Sequence, residues 1–178
     1  MQTHRLASHP AFAGRAVKSV TLRWGRVADG RIMLRWRVDG GAGLVVPQAR
    51  EPARADDLWK TTCFEMFLAD GEGRYREYNF SPSGEWAAWC FAGYRNRSGD
   101  HEPVAAPVIA IDSGLSVFTC TVFLDGTELA GASRAAFSAV LDEGQGALSY
   151  WALRHGGKKP DFHDPACFVV PLGPAGRP

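Results

Sequence analysis

The chain has 178 residues, 46% of them hydrophobic and 22% charged, with 20 Lys and Arg set against 19 Asp and Glu. This length fits one domain of about 150 residues that can bury on the order of 70% of its unfolded surface, and the composition excludes intrinsic disorder. The balanced charge gives no reason to expect a nucleic-acid partner, and no apolar run approaches the roughly 18 residues of a membrane span.

Residues 1–20 carry His4, His9, Arg5, Arg15 and Lys18 but no apolar stretch of the signal-peptide kind, so a cytoplasmic protein is expected. Residues 1–14 read as a loose tail. Residues 20–24 then alternate apolar and polar, and Asp29-Gly30 is a strong turn pair. Beyond it, Ile32, Leu34, Trp36 and Val38 share one face while Arg35 and Arg37 share the other, which predicts a β-hairpin with one wet face. Residues 63–69 form the next strand, ending at Asp70-Gly71, with residues 75–80 as its hairpin partner.

Pro82-Ser83-Gly84 turns the chain into an aromatic-rich strand over 85–91. Residues 104–111 are strand-like, but Pro107 confines them to an edge or a bulge. Asp112-Ser113-Gly114 leads into a long strand over 115–124. Residues 128–136 have helix-forming alanines interrupted by Gly131, which allows one short helix. Three more strands follow over 137–141, 148–153 and 168–172, and residues 173–178 are a Gly/Pro-rich tail.

The pattern predicts an all-β fold. Its expected form is a two-sheet antiparallel β-sandwich of about nine to ten strands, jelly-roll-like, with at most one short helix, in a single domain over residues 15–172. Cys63, Cys90, Cys120 and Cys167 are widely spaced, form no C-x-x-C, and read as small buried hydrophobes.

Chemistry-bearing residues concentrate in three places. Along residues 63–68, Phe64, Met66 and Leu68 take one face and read as core. Cys63, Glu65 and Phe67 take the other. Glu65 is thus a carboxylate among apolar neighbours, costly unless paired. The next strand can bring Glu77 and Asn79 beside it. The readings are a cross-strand ion pair on a solvated face, a polar binding face with an aromatic rim, or a catalytic carboxylate pair.

Trp59, Trp86, Trp89 and Trp151 flank these strands. Trp86 and Trp89 are three apart and face opposite ways, one into the core and one available to stack on a sugar. The third place is residues 154–164, with Arg154, His155, Lys158, Lys159, Asp161 and His163. His155, Asp161 and His163 are a metal-ligand candidate set but lack the H-E-x-x-H register. No G-x-S-x-G or Walker A motif occurs, and Val46 stands where a G-x-G-x-x-G begun at Gly41-Ala42-Gly43 needs its last glycine.

The stretches 57–68, 75–86, 148–155 and 159–163 together resemble the bacterial DOMON-like proteins, themselves similar to type-nine carbohydrate-binding modules. The resemblance spans roughly residues 17–172. It implies a β-sandwich with a ligand site on or between the sheets, filled by sugar or haem in better-understood relatives. The carbohydrate-binding relatives usually accompany a secreted enzyme, which this sequence does not suggest. The haem-binding relatives need an axial pair such as Met with His; the candidates here are Met66 or Met33 with His155 or His163.

The leading expectation is a non-catalytic site for a small ligand, a carbohydrate or glycan fragment. It would be built from Trp59, Glu65, Glu77, Asn79, Trp86, Arg154 and His155, with no cofactor, no metal, and no nucleic-acid or membrane partner. The aromatics would stack and the polar groups would bind hydroxyls. The alternatives are a haem-binding redox module using Met66, His155 and His163, a glycan-acting enzyme using Glu65 and Glu77, and a protein-interaction domain. Asp56 and Asp57 mark a place for a structural calcium.

Overall fold

A computed structural model describes residues 1–173. Strands β2 (Ser19–Arg26) and β3 (Ile32–Asp39) show how the sequence period sets the pleat. Val20, Leu22, Trp24, Ile32, Leu34, Trp36 and Val38 are buried while the residues between them stay accessible. The turn joining the two strands holds Gly30 at φ 85°, a left-handed conformation that favours glycine.

The remaining strands are β1 (Gln2–Ser8), β4 (Cys63–Ala69), β5 (Tyr75–Phe80), β6 (Trp86–Gly93), β7 (Asn96–Asp100), β8 (Val108–Ser113), β9 (Val117–Leu124), β10 (Arg134–Asp142), β11 (Leu148–Ala152) and β12 (Val170–Pro171). They pair antiparallel along one path, β7-β6-β5-β4-β10-β11-β1-β2-β3-β9-β8, and β12 adds to β10. The fold is all-β. In place of two separate sheets with nine or ten strands there are twelve strands, eleven of them on one continuous hydrogen-bonded path and β12 beside β10.

β1 makes the path continuous. Its Gln2–Leu6 portion pairs with β2, and Ala7 and Ser8 pair with β11. Residues 1–14 are therefore not a loose tail. β1 was hidden in the sequence because Leu6 is its only buried residue, so backbone pairing rather than a buried face fixes it. β7 was hidden for the same reason: all five of its residues are exposed. The helix expected over 128–136 is replaced by a 3₁₀ turn, Gly126–Leu129, capped by the Asp125 side chain. Gly131 follows at φ 74°, and β10 begins at Arg134. β8 ends the path at an edge, as Pro107 predicts. Of the expected tail 173–178, residues 174–178 lie outside the described residues. No helix among the described residues is long and apolar enough to cross a membrane.

The two limbs of the path pack against each other through aromatic rings. Trp36 of β3 lies 5.3 Å from Phe64 of β4 between ring centroids, and Trp24 of β2 lies 5.2 Å from Phe137 of β10. Phe64 also stacks on Phe118 of β9 at 6.2 Å. A second apolar cluster forms on the opposite face of the β4 limb, where Phe162, Cys167 and Phe168 cover Cys63, Phe67, Tyr75 and Trp89. β4 is therefore buried on both faces, which explains its nearly unbroken apolar run.

Candidate functional site: a cleft over two buried carboxyls

A cleft of about 830 Å³ opens where the second cluster is incompletely covered. Its floor comes from four neighbouring strands: Glu65 and Phe67 of β4, Glu77 of β5, Trp89 and Phe91 of β6, and Val140 of β10. Trp59, Phe12 and Tyr150 stand around it, and the segment 159–163 closes one side.

Strand register places the carboxyls. Glu65 lies opposite Asn79, and Phe67 lies opposite Glu77. The two glutamates are thus diagonal neighbours on one face, a backbone spacing of about 7–8 Å. Both are almost fully buried, Glu65 at 3% exposure and Glu77 at 6%. Ser138 Oγ donates to Glu65 Oε2 at 2.8 Å, and Asn79 Nδ2 donates to Glu77 Oε1 at 2.8 Å. Cys63 Sγ in turn donates to Asn79 Oδ1 at 3.4 Å, which fixes the amide.

Burial raises the pKa of both carboxyls, because a charge is poorly solvated there. The negative charge of Glu77 raises Glu65 further, against the lowering effect of the Ser138 hydrogen bond. For Glu77, the Asn79 hydrogen bond and the charges of Arg95 and Arg97 work the other way without cancelling burial.

A ring of polar contacts holds the rim. Tyr75 OH lies 2.8 Å from His163 Nδ1 and accepts from the Arg95 backbone N–H at 3.0 Å. Burial, then the charge of Arg95, pushes His163 down to about 4. Arg95 pairs with Asp161 at 2.9 Å, and Tyr94 OH donates to the same carboxylate at 2.5 Å. Arg97 pairs with Asp100 and lies 5.0 Å from the Trp89 ring centroid. Two non-glycine residues on the rim, Asp57 at φ 62° and Arg95 at φ 53°, are held in the left-handed region. Such conformations cost on the order of 1–3 kcal/mol and recur at ligand sites.

The structure brings together some of the expected site residues. Glu65 and Glu77 are on the floor, and Trp59 stands at the edge, 46% exposed. Asn79 is fully buried behind Glu77 and orients it. Trp86 is not at the site. It packs in the core between the limbs, and Trp89, three residues on, takes the cleft. Arg154 is exposed and does not line the cleft. His155 does not line it either. Its Nε2 lies 2.9 Å from the Ala7 carbonyl, and its ring meets His9 edge-on at 4.9 Å, so it fastens β1.

The alternative sets do not assemble. His155, Asp161 and His163 are engaged with Ala7, Arg95 and Tyr75 respectively. Among the described residues no three His, Cys, Asp or Glu side chains are grouped as metal ligands. Asp57, placed with Asp56 as a calcium candidate, pairs with Lys60 at 2.7 Å. Met66 is fully buried in the core between the limbs, whereas His163 packs on Phe67 across the other face of β4. The two thus lie on opposite faces of β4, and Met33 lies on β3 opposite Gly25 and Phe123.

Trp89, Arg95, Arg97, Tyr150 and Phe12 are among the lining residues that sequence reasoning did not assign. The Trp86/Trp89 alternation held the signal for the first. Phe12 carries no sequence signal, because its position depends on β1 being ordered.

No protein-family model matches the chain, and no curated protein matches it in sequence. Among solved structures, a Bacteroides uniformis protein for which carbohydrate binding is proposed superposes with a TM-score of 0.66 at 16% identity. That match covers 94% of this chain and 84% of the other. A family 9 carbohydrate-binding module from Caldicellulosiruptor kristjanssonii, solved with glucose, gives a TM-score of 0.45 at 9% identity. It covers 80% of this chain and 70% of the module. The first likeness shows that this chain shares an all-β fold with the Bacteroides protein.

Proposed function

We propose that the chain binds a carbohydrate or glycan fragment in the cleft, without catalysis. The two limbs act as the layers of a sandwich, and the site lies on the outer face of one layer. One observation carries this reading: the Trp89 and Trp59 rings and the buried carboxyls of Glu65 and Glu77 face one cleft of about 830 Å³. A sugar presents a C–H face that packs on an indole ring and hydroxyls that bind carboxyl groups. The volume falls in the range of small-molecule sites and suits one or two sugar rings. The proposed carbohydrate-binding role of the Bacteroides protein agrees with this use of the fold.

Calorimetric titration with a panel of mono- and disaccharides tests the proposal. Saturable one-to-one binding that Trp89→Phe weakens and Trp59→Ala weakens supports it. No heat from any sugar overturns it. Release of a smaller sugar from the titrant, abolished by Glu65→Gln, would replace binding with hydrolysis by the Glu65/Glu77 pair.

A further inference from the structure

We infer that the ligand carries a protonated primary amine, seated between Glu65 and Glu77, and that it is an amino sugar with a free rather than acetylated nitrogen. The second part rests on the carbohydrate reading of the cleft.

Among the described residues no Lys or Arg side chain forms an ion pair with either carboxyl on the floor of the cleft, although Arg95 and Arg97 stand at its rim. Each carboxyl has one hydrogen-bond donor, Ser138 for Glu65 and Asn79 for Glu77. Among the described residues Glu65 Oε1 has no hydrogen-bond partner, and the His163 ring lies 3.6 Å from Glu77 Oε2. That ring is uncharged at neutral pH because burial lowers its affinity for a proton. The rim guanidiniums are already engaged, Arg95 with Asp161 and Arg97 with Asp100. Lys159 is exposed at the rim and makes no ion pair with either glutamate.

Two buried acids on one face are costly to ionise, and both hold a proton more tightly than an ordinary carboxyl. A cation entering between them changes that balance. An ammonium offers three donors, against the acceptor oxygens left free here. A metal ion is a poorer fit, because no third ligand group stands with the pair among the described residues.

The walls point the same way. Trp89, Phe67, Phe91 and Tyr150 surround the acids with aromatic faces, which attract an organic cation. The Trp89 Nε1–H is buried and has no partner, although Trp89 stands directly across from Glu77 in the strand register. On entry of the ammonium, a proton leaves the carboxyl pair for the buffer and the carboxylate pairs with the nitrogen. No covalent bond changes.

The experiment is calorimetry of the intact chain at pH 7 with glucosamine, N-acetylglucosamine, glucose and hexylamine, each in two buffers of different ionisation enthalpy. Glucosamine should bind at least tenfold tighter than the acetylated or neutral sugar, with proton release seen as a buffer-dependent heat. Glu65→Gln and Glu77→Gln should remove that preference while thermal melting shows them folded. Equal binding of glucose and glucosamine overturns the amine and leaves the carbohydrate reading standing. Tight binding of hexylamine with no sugar bound overturns the carbohydrate reading and keeps the amine. No binding by any of the four overturns both.

Discussion

Glu77 Oε2 lies 3.6 Å from His163 Nε2, yet the two groups do not form an ion pair at neutral pH. Burial acts on both in opposite chemical directions. It raises the carboxyl to about 7 and lowers the imidazole to about 4, so at neutral pH the imidazole is uncharged. The contact therefore lacks a positive partner at neutral pH, inside a cleft that also contains Glu65.

Stability should record this. The folded-state pKa of Glu65 is raised above the ordinary 4.5. Its folded state is therefore favoured fully below that value and loses stability as pH rises through the raised one. His163 has the opposite slope, since its pKa is lowered from 6.5 and stability is lost as pH falls from there. The comparison of Glu65→Gln with the wild type cancels the histidine. As pH rises from 4.5, the difference in unfolding free energy should move in favour of Glu65→Gln. Urea unfolding at several pH values measures it, and a difference independent of pH would show that Glu65 is not held protonated.

The tryptophans separate binding from folding. Trp86 belongs to the core between the limbs and Trp59 to the exposed edge of the cleft. Trp86→Ala should cost about 3–5 kcal/mol of stability. Trp59→Ala should change stability by less than about 0.5 kcal/mol and weaken ligand binding. Chemical denaturation and calorimetry on the two variants check this. A Trp59→Ala variant with unchanged sugar affinity would remove that ring from the site.

β2 and β3 were legible because their burial alternates, and β4 and β10 because their apolar runs are nearly unbroken. β2 and β3 declare themselves by the buried series Ile32, Leu34, Trp36 and Val38, separated by arginines. The carboxyl pair was legible too, since Glu65 interrupts an apolar strand and Glu77 falls on the partner strand. What escaped depends on partners distant in sequence. β1 gains its order from β2 and β11, and β7 from β6. Which of Trp86 and Trp89 meets the cleft depends on which face of β6 the other limb covers. His155 looked like a ligand donor because its use, the Ala7 carbonyl, lies on a strand the sequence did not announce.

A further buried carboxylate, Glu128, holds the segment with His101 and Val104 against β5. Glu128 Oε2 accepts from Tyr78 OH at 2.6 Å and lies 2.8 Å from His101 Nε2, while Oε1 accepts from the Val104 backbone at 2.9 Å. Removing the shared acceptor leaves the Tyr78 hydroxyl buried without a partner, at about 1–3 kcal/mol, and also frees the part-buried His101 ring and Val104 amide. Glu128→Ala should therefore destabilise more than Tyr78→Phe, which removes a single donor. Hydrogen exchange should show the Val104 amide losing protection in Glu128→Ala only. Equal costs for the two variants would mean that the His101 and Val104 contacts add nothing.

Glu143 performs the corresponding task for the N-terminal segment. Its Oε2 accepts from three successive backbone amides, Arg15 at 2.8 Å, Ala16 at 2.5 Å and Val17 at 3.2 Å. Its Oε1 accepts from Ser149 Oγ at 2.7 Å, and Ser149 accepts from Trp151 Nε1 at 3.0 Å. Burial opposes ionisation here, but the Ala16 amide, the Ser149 hydroxyl and the other two amides outweigh it, and the pKa is lowered from 4.5. The stabilisation is thus present above 4.5 and lost as pH falls through the lowered value. Hydrogen bonds to a charged group contribute about 1.5–3 kcal/mol, so Glu143→Gln should cost about that much at pH 7. The cost should shrink well below pH 4.5, where the wild-type carboxylate is itself protonated. Because the same segment continues from β1 and Phe12, the variant should also weaken ligand binding by loosening that side of the cleft. Urea unfolding at both pH values measures the first effect, and a cost unchanged in acid would show that the amides do not depend on the carboxylate charge.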